Sequence, residues 1–94
     1  MTANDFLIHA EHLLDERGLV YGDPITNHLR IAQLWGAYLG HGIEPHEVAV
    51  CMALVKLSRI AEQATHKDSY EDAIAYLGIA GHVATADWDD LDTY

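Results

Sequence analysis

Cysteine occurs once, at Cys51, so the chain can form no internal disulfide. It lies in the apolar run "VAVCMALV" and reads as a buried thiol suited to a reducing compartment. Basic side chains are nearly as scarce: five, against fifteen carboxylates, for a formal net charge of −10. That balance excludes general nucleic-acid binding, which needs a basic footprint. The tail "DWDDLDTY" concentrates part of the acidity, but the chain stays acidic without it. No apolar run reaches the roughly 18 residues of a membrane span, and the first residues show no basic segment followed by an apolar one. The expectation is no membrane partner, no signal peptide and a cytoplasmic location. No strand-like alternation and no internal repeat are visible.

What is present is helical. Half of the 94 residues are hydrophobic, enough for a core. They fall into four periodic segments, so the predicted fold is all-α, a compact bundle of four helices occupying residues 1–86, with residues 87–94 as an acidic C-terminal tail. The first helix spans about 4–17 and stops at Gly18. The second begins at "DPIT", with Asp23 as N-cap and Pro24 in the first helical position, and ends at "GHG". The third, about 45–63, is apolar on every side from Val48 to Leu57 except at Lys56, which predicts a central helix buried on several faces. The fourth, about 68–86, opens at "DSYE", where Asp68 and Glu71 have the spacing of a capping box. Ala75, Gly78 and Gly81 give it a strip of small residues for close helix approach. A domain this small with this much apolar surface is expected to self-associate as a dimer or tetramer.

The few cations are placed unevenly. Helices three and four are joined by a short link and should run antiparallel. Counting ~1.5 Å per residue from the link sets Arg59 level with Asp72, and Lys56 level with Tyr76 one turn deeper. Asp68, Asp72 and Tyr76 form one line at four-residue spacing. One reading of this grouping is a salt-bridge ladder that fixes the hairpin, with Asp68 simply a cap. The other is a ligand site, because burying Lys56 for register alone is costly. A second cluster, "ERGLVYGDPITNHLR", gathers Arg17, Tyr21, Asp23, Asn27, His28 and Arg30 near the N-terminus of helix two, an end that attracts anions; the alternative is that Arg17 and Arg30 lie on solvated faces. The expected ligand-binding set is therefore Arg17, Tyr21, Asn27, Arg30, Lys56, Arg59, Asp68, Asp72 and Tyr76, around a phosphate-bearing small molecule. Seven histidines suggest metal, but none forms H-E-x-x-H and no three converge by spacing, so neither a metal site nor a cofactor is expected. Trp35 and Tyr38 read as core or interface, with base stacking as the alternative.

The motifs "RGLVYGDP…N", "KLSRI" and "DSYEDAIAY" resemble a small family of phage proteins and, more loosely, the nucleotide-modification-associated domain 1 group. The resemblance covers about residues 16–77 and implies a helical protein connected with nucleotides in the cytoplasm of a phage host. More remotely, "DSYEDAIAYL" looks like the last carboxylate helix of the MazG-type nucleotide pyrophosphohydrolases, in which two carboxylate helices hold magnesium on a triphosphate. The preceding helix departs from that pattern: where E-E-x-x-E would stand, this chain reads "VKLSR". Cations there contact phosphate but do not bind magnesium. The leading expectation is binding without catalysis, either to sequester host signalling nucleotides or as an accessory to nucleotide metabolism. A pyrophosphohydrolase with an altered site and a structural interaction module are the alternatives.

Overall fold

Thr2 begins the first helix: its hydroxyl accepts the Asp5 amide while its own amide donates to the Asp5 carboxylate, at 3.2 and 2.9 Å. In the computed structural model, which describes residues 1–87, this opens α1 (Ala3–Tyr21). It is followed by α2 (Pro24–Leu39), α3 (Pro45–Glu62) and α4 (Lys67–Ala84). The described residues form four helices and no strand. Trp88 and most of the acidic tail lie outside them.

Helix α1 runs one turn past the expected stop. Gly18 is accommodated inside it at a cost of about 1 kcal/mol, and its carbonyl accepts the Gly22 amide at 3.0 Å. Gly22 supplies the terminus, with φ 77° and ψ −147°, a region open essentially to glycine alone. The sequence offered two glycines four residues apart, and the one that must leave the right-handed region ends the helix. Asp23 caps α2 as expected, accepting from the Ile25 amide at 3.1 Å, and Gly40 in the left-handed conformation closes it. Glu47 reaches back to the Glu44 amide to start α3.

Helix α4 begins one residue early. His66 takes the N-cap position, and the expected box of Asp68 and Glu71 does not form. Asp68 is instead exposed in the first turn, where its charge favours the helix dipole. Ser69 is the reason for the shift: it is buried, and its hydroxyl meets His66 Nδ1 at 2.7 Å. Glu71 turns to His9 of α1 at 2.8 Å.

The central element is α4, not α3. It packs on all three other helices, most extensively on α3. Its buried positions include Ala73, Ala75, Ile79, Ala80 and Val83. Ala49 of α3 packs with Ile79, Ala80 and Val83, and Ala10 of α1, Ala32 of α2 and Ala53 of α3 are buried as well, so the core is built largely on alanine. Small side chains let helix axes approach, and each contributes little apolar burial. Of the small-residue strip, Gly78 faces α1: a β-carbon there would lie 3.9 Å from Leu14, whereas one at Gly81 would meet nothing within 4 Å. Helix α3 buries only Val48, Ala49 and Ala53. Val50, Leu54, Val55 and Leu57 are exposed, and so is Cys51, against the expectation of a buried thiol. Four short helices leave α3 with partners on two sides only, so an apolar circumference does not become a buried one.

Candidate ligand-binding cavity

Asp72 organises the site. It stands in the second turn of α4, one turn before Tyr76, and each carboxylate oxygen is held by a different cation. Arg17 Nη2 donates to Oδ1 at 2.9 Å, and Lys56 Nζ lies 3.1 Å from Oδ2. The three side chains are 27% (Arg17), 17% (Asp72) and 15% (Lys56) exposed, so the cluster is largely desolvated. Helices α1 and α3 do not pack on one another, so Asp72 is the bridge that ties each to α4 at this level.

Arg17 makes two further features. Its guanidinium lies over the Tyr76 ring, 5.0 Å from the centroid, a cation–π contact worth about 0.5–2 kcal/mol. Its Nη1 is buried and has no hydrogen-bond partner among the described residues. A buried donor left unmade costs about 1–3 kcal/mol, more on a charged group. Among the described residues Nη1 is the one buried side-chain nitrogen or oxygen without a partner, and the side chain that carries it lines a cavity.

That cavity, about 430 Å³, opens between all four helices. Arg17, Tyr21, Asn27, His28, Trp35 and Tyr76 supply its polar and aromatic lining, and Leu14, Ile31, Val48, Met52 and Ile79 its apolar floor. Tyr21 and Gly22 stand where α1 turns into α2, and Tyr21 is exposed at the mouth. His28 is buried, with Nδ1 2.8 Å from the Pro24 carbonyl. A carbonyl only accepts, so Nδ1 carries the proton, and in the neutral ring Nε2 is left as an acceptor. The N-terminus of α2 also borders the cavity, but Asp23 already supplies its anion.

Of the nine residues expected from the sequence, Arg17, Tyr21, Asn27 and Tyr76 line the cavity, and Lys56 and Asp72 join it through Arg17. Three stand apart. Arg30 is exposed: two residues past His28, it projects about 200° around the helix, away from the cavity. Arg59 is exposed and forms no ion pair among the described residues, because Lys56 rather than Arg59 meets Asp72. The hairpin register is about one turn from that expected. Asp68 is exposed at the start of α4. His28, Trp35 and Met52 were not in the expected set. A 3.6-residue period links His28, Ile31 and Trp35 on one stripe of α2, a signal that could have found His28 and Trp35; no such signal marks Met52 on α3. Among the described residues, no three His, Cys, Asp or Glu side chains converge where they could hold a metal ion. None of the described helices is long and apolar enough to cross a membrane.

Residues 5–84 match a protein family described as Domain of unknown function (DUF6378). The chain belongs to this family. It is similar to the Gene 55 protein of Mycobacterium phage L5, 43% identical over 76 residues that cover 78% of this chain and 48% of the phage protein. The Gene 55 protein of Mycobacterium phage D29 is 35% identical over 77 residues, covering 81% of this chain and 51% of that protein. The chain thus spans about half the length of these curated relatives. No solved structure matches it. The family matched includes nearly all of the four-helix region, with every residue of the cavity and of the Arg17–Asp72–Lys56 cluster.

Proposed function

We propose that the cavity binds a nucleotide or a nucleotide-derived signalling molecule and does not transform it. In a phage-infected cell this would sequester a host signalling nucleotide or serve nucleotide metabolism as an accessory. The observation that carries the reading is Arg17: a desolvated guanidinium with one unmatched donor, on the wall of an aromatic-lined cavity of small-molecule size. A phosphate or ribose oxygen would satisfy that donor once the guanidinium turns toward the cavity, because Nη1 is covered as it stands. Trp35, Tyr21 and Tyr76 offer rings for a base, and Asn27 and the His28 Nε2 offer hydrogen-bonding groups for its edge.

Binding is favoured over MazG-like hydrolysis by the state of Asp72. Both of its oxygens are engaged by cations, so the carboxylate that would hold magnesium in such an enzyme is committed to Arg17 and Lys56. The experiment is to denature freshly purified protein and identify released small molecules by mass spectrometry, then titrate them back. Recovery of an intact nucleotide supports binding. Release of phosphate or pyrophosphate from added nucleotide would favour the hydrolase, and neither binding nor release would favour a structural interaction module.

The outer face of α3 supports self-association through a second copy of the chain. Val50, Leu54 and Leu57 are exposed at spacings of four and three, the seam of a helix that packs on another. A symmetric pair would cover the seam with its own copy.

A further inference from the structure

Resting on that nucleotide-binding reading, we propose that the cavity selects nucleotides bearing a single phosphate, in preference to the nucleoside and to di- and triphosphates of the same base. The charge count sets the limit. Arg17 and Lys56 bring two positive charges, and Asp72 cancels one of them at 2.9 and 3.1 Å. The cluster therefore offers one net positive charge to a ligand. A phosphodiester carries one negative charge and a phosphomonoester up to about two at neutral pH. A triphosphate carries several, and each phosphate beyond the first would lie in a lining that is mainly apolar or aromatic.

The neighbouring groups oppose a longer polyphosphate as well. At the N-terminus of α2, Asp23 holds the Ile25 amide and the Thr26 hydroxyl with its two carboxylate oxygens, so a negative charge already occupies the end that would otherwise attract a second phosphate. A polyphosphate with its own magnesium would need carboxylates to dock the ion, and Asp72 is already doubly paired. The whole chain, at −10, repels polyanions further. One phosphate is favoured because Arg17 has one terminal nitrogen unpaired: Nη2 is on Asp72, and Nη1, covered and without a partner, reaches a ligand only when the guanidinium turns toward the cavity.

The test uses the full chain carrying W88F, so that Trp35 is the tryptophan that reports. Its emission is followed during titration, at fixed ionic strength, with adenine, guanine, cytosine, uracil and thymine series. Each series contains the nucleoside, the 5′-monophosphate, the 3′,5′-cyclic monophosphate, the diphosphate and the triphosphate. For the base that binds, one single-phosphate form should bind at least tenfold more tightly than the nucleoside and at least tenfold more tightly than the triphosphate. The monoester and cyclic arms tell which single-phosphate chemistry is preferred. R17Q should bring nucleoside and monophosphate to within about threefold of each other, while the circular dichroism spectrum stays native. A triphosphate that binds as tightly as the single-phosphate forms overturns this proposal and leaves nucleotide binding standing. A monophosphate no tighter than its nucleoside overturns it too. Absence of binding across all series, checked by calorimetry, overturns both.

Discussion

Replacing Asp72 with asparagine should be the most damaging single change in the cation cluster, and far worse than removing either of its cations. The substitution keeps the shape and deletes the charge. Arg17 and Lys56 are then left facing one neutral amide, two cations at the two terminal atoms of one side chain with most of their surface out of water. Breaking a fully buried pair costs about 3–5 kcal/mol. Here the side chains keep between 15% and 27% of their exposure, so screening reduces the figure to about 2–3 kcal/mol. In a domain of this size each kcal/mol moves Tm by about 4–8 °C, giving a fall of roughly 10–20 °C.

Lys56→Met and Arg17→Met should behave differently. Each leaves Asp72 paired with the remaining cation and puts an unbranched apolar chain in the vacated space. Arg17→Met also removes the unmatched Nη1 donor. Each should cost no more than about 1 kcal/mol. In the double variant K56M/D72N the surplus positive charge is gone, so most of the lost stability should return. The coupling in that cycle should exceed about 1 kcal/mol. Thermal and urea unfolding followed by circular dichroism, at one fixed protein concentration and at low and 1 M salt, measures all of this. The effect should persist at high salt because the cluster is largely desolvated. If D72N lowers Tm by only a few degrees, or no further than K56M does, the carboxylate is not holding two desolvated charges and the account of the site is wrong.

At Gly22, whose φ and ψ suit glycine alone, Gly22→Ala should cost about 1–3 kcal/mol by chemical denaturation, and Gly22→Asn should not rescue it. At Gly40 asparagine should be better tolerated than alanine, because Gly40 is in the ordinary left-handed region; equal costs at the two sites would contradict the backbone assignment. The Thr2 amide, hydrogen-bonded to the Asp5 carboxylate, holds the acid below the ordinary carboxylate range. Its contribution is therefore fully present above about pH 4 and lost as pH falls through the lowered value, so Asp5→Asn should speed amide exchange at the start of α1 at neutral pH and make no difference in strong acid. Light scattering at micromolar concentration should give at least twice the 10.4 kDa chain mass, and Leu54→Glu should return it to the monomer; a wild-type mass of 10.4 kDa would remove the α3 seam as a self-interface. In the same samples the Cys51 thiol, on that helix, should react faster with a disulfide reagent in the Leu54→Glu variant than in the wild type.

The fold was legible where a single residue type leaves the backbone one option. "DP" starts α2 because aspartate caps and proline fits the first turn, and the glycines of "GHG" end it. Legibility failed where two neighbouring residues could do the same job. Gly18 reads as the helix stop although Gly22 can also end a helix, and Asp68 reads as the cap although His66 takes that place. In each case a tertiary or backbone fact decided: the conformation at Gly22, and the burial of Ser69 against His66. The misreading of α3 has another cause. Apolar residues on all sides say what a helix can cover, not how many neighbours it has, and in a four-helix chain α4 took the middle place.

The site divides along the same line. Lys56, Asp72 and Tyr76 were visible because a short hairpin ties sequence spacing to height, even though the register came out a turn away from Arg59. Arg17 and Asp72 are 55 positions apart, and no periodicity or spacing relates them. Their meeting depends on α1 packing against α4, and that depends on small side chains, with Ala10 buried and Leu14 resting at Gly78. The scarcity of cations is what made the grouping readable at all. With five basic residues in a chain of net charge −10, two that converge on one carboxylate leave a single positive charge at the cavity, and a ligand's charge must fit that remainder. An alanine-to-leucine change at Ala10 would therefore act on the site from a distance. By forcing α1 away from α4 it would separate Arg17 from Asp72 and open the cavity wall without touching a residue that lines it.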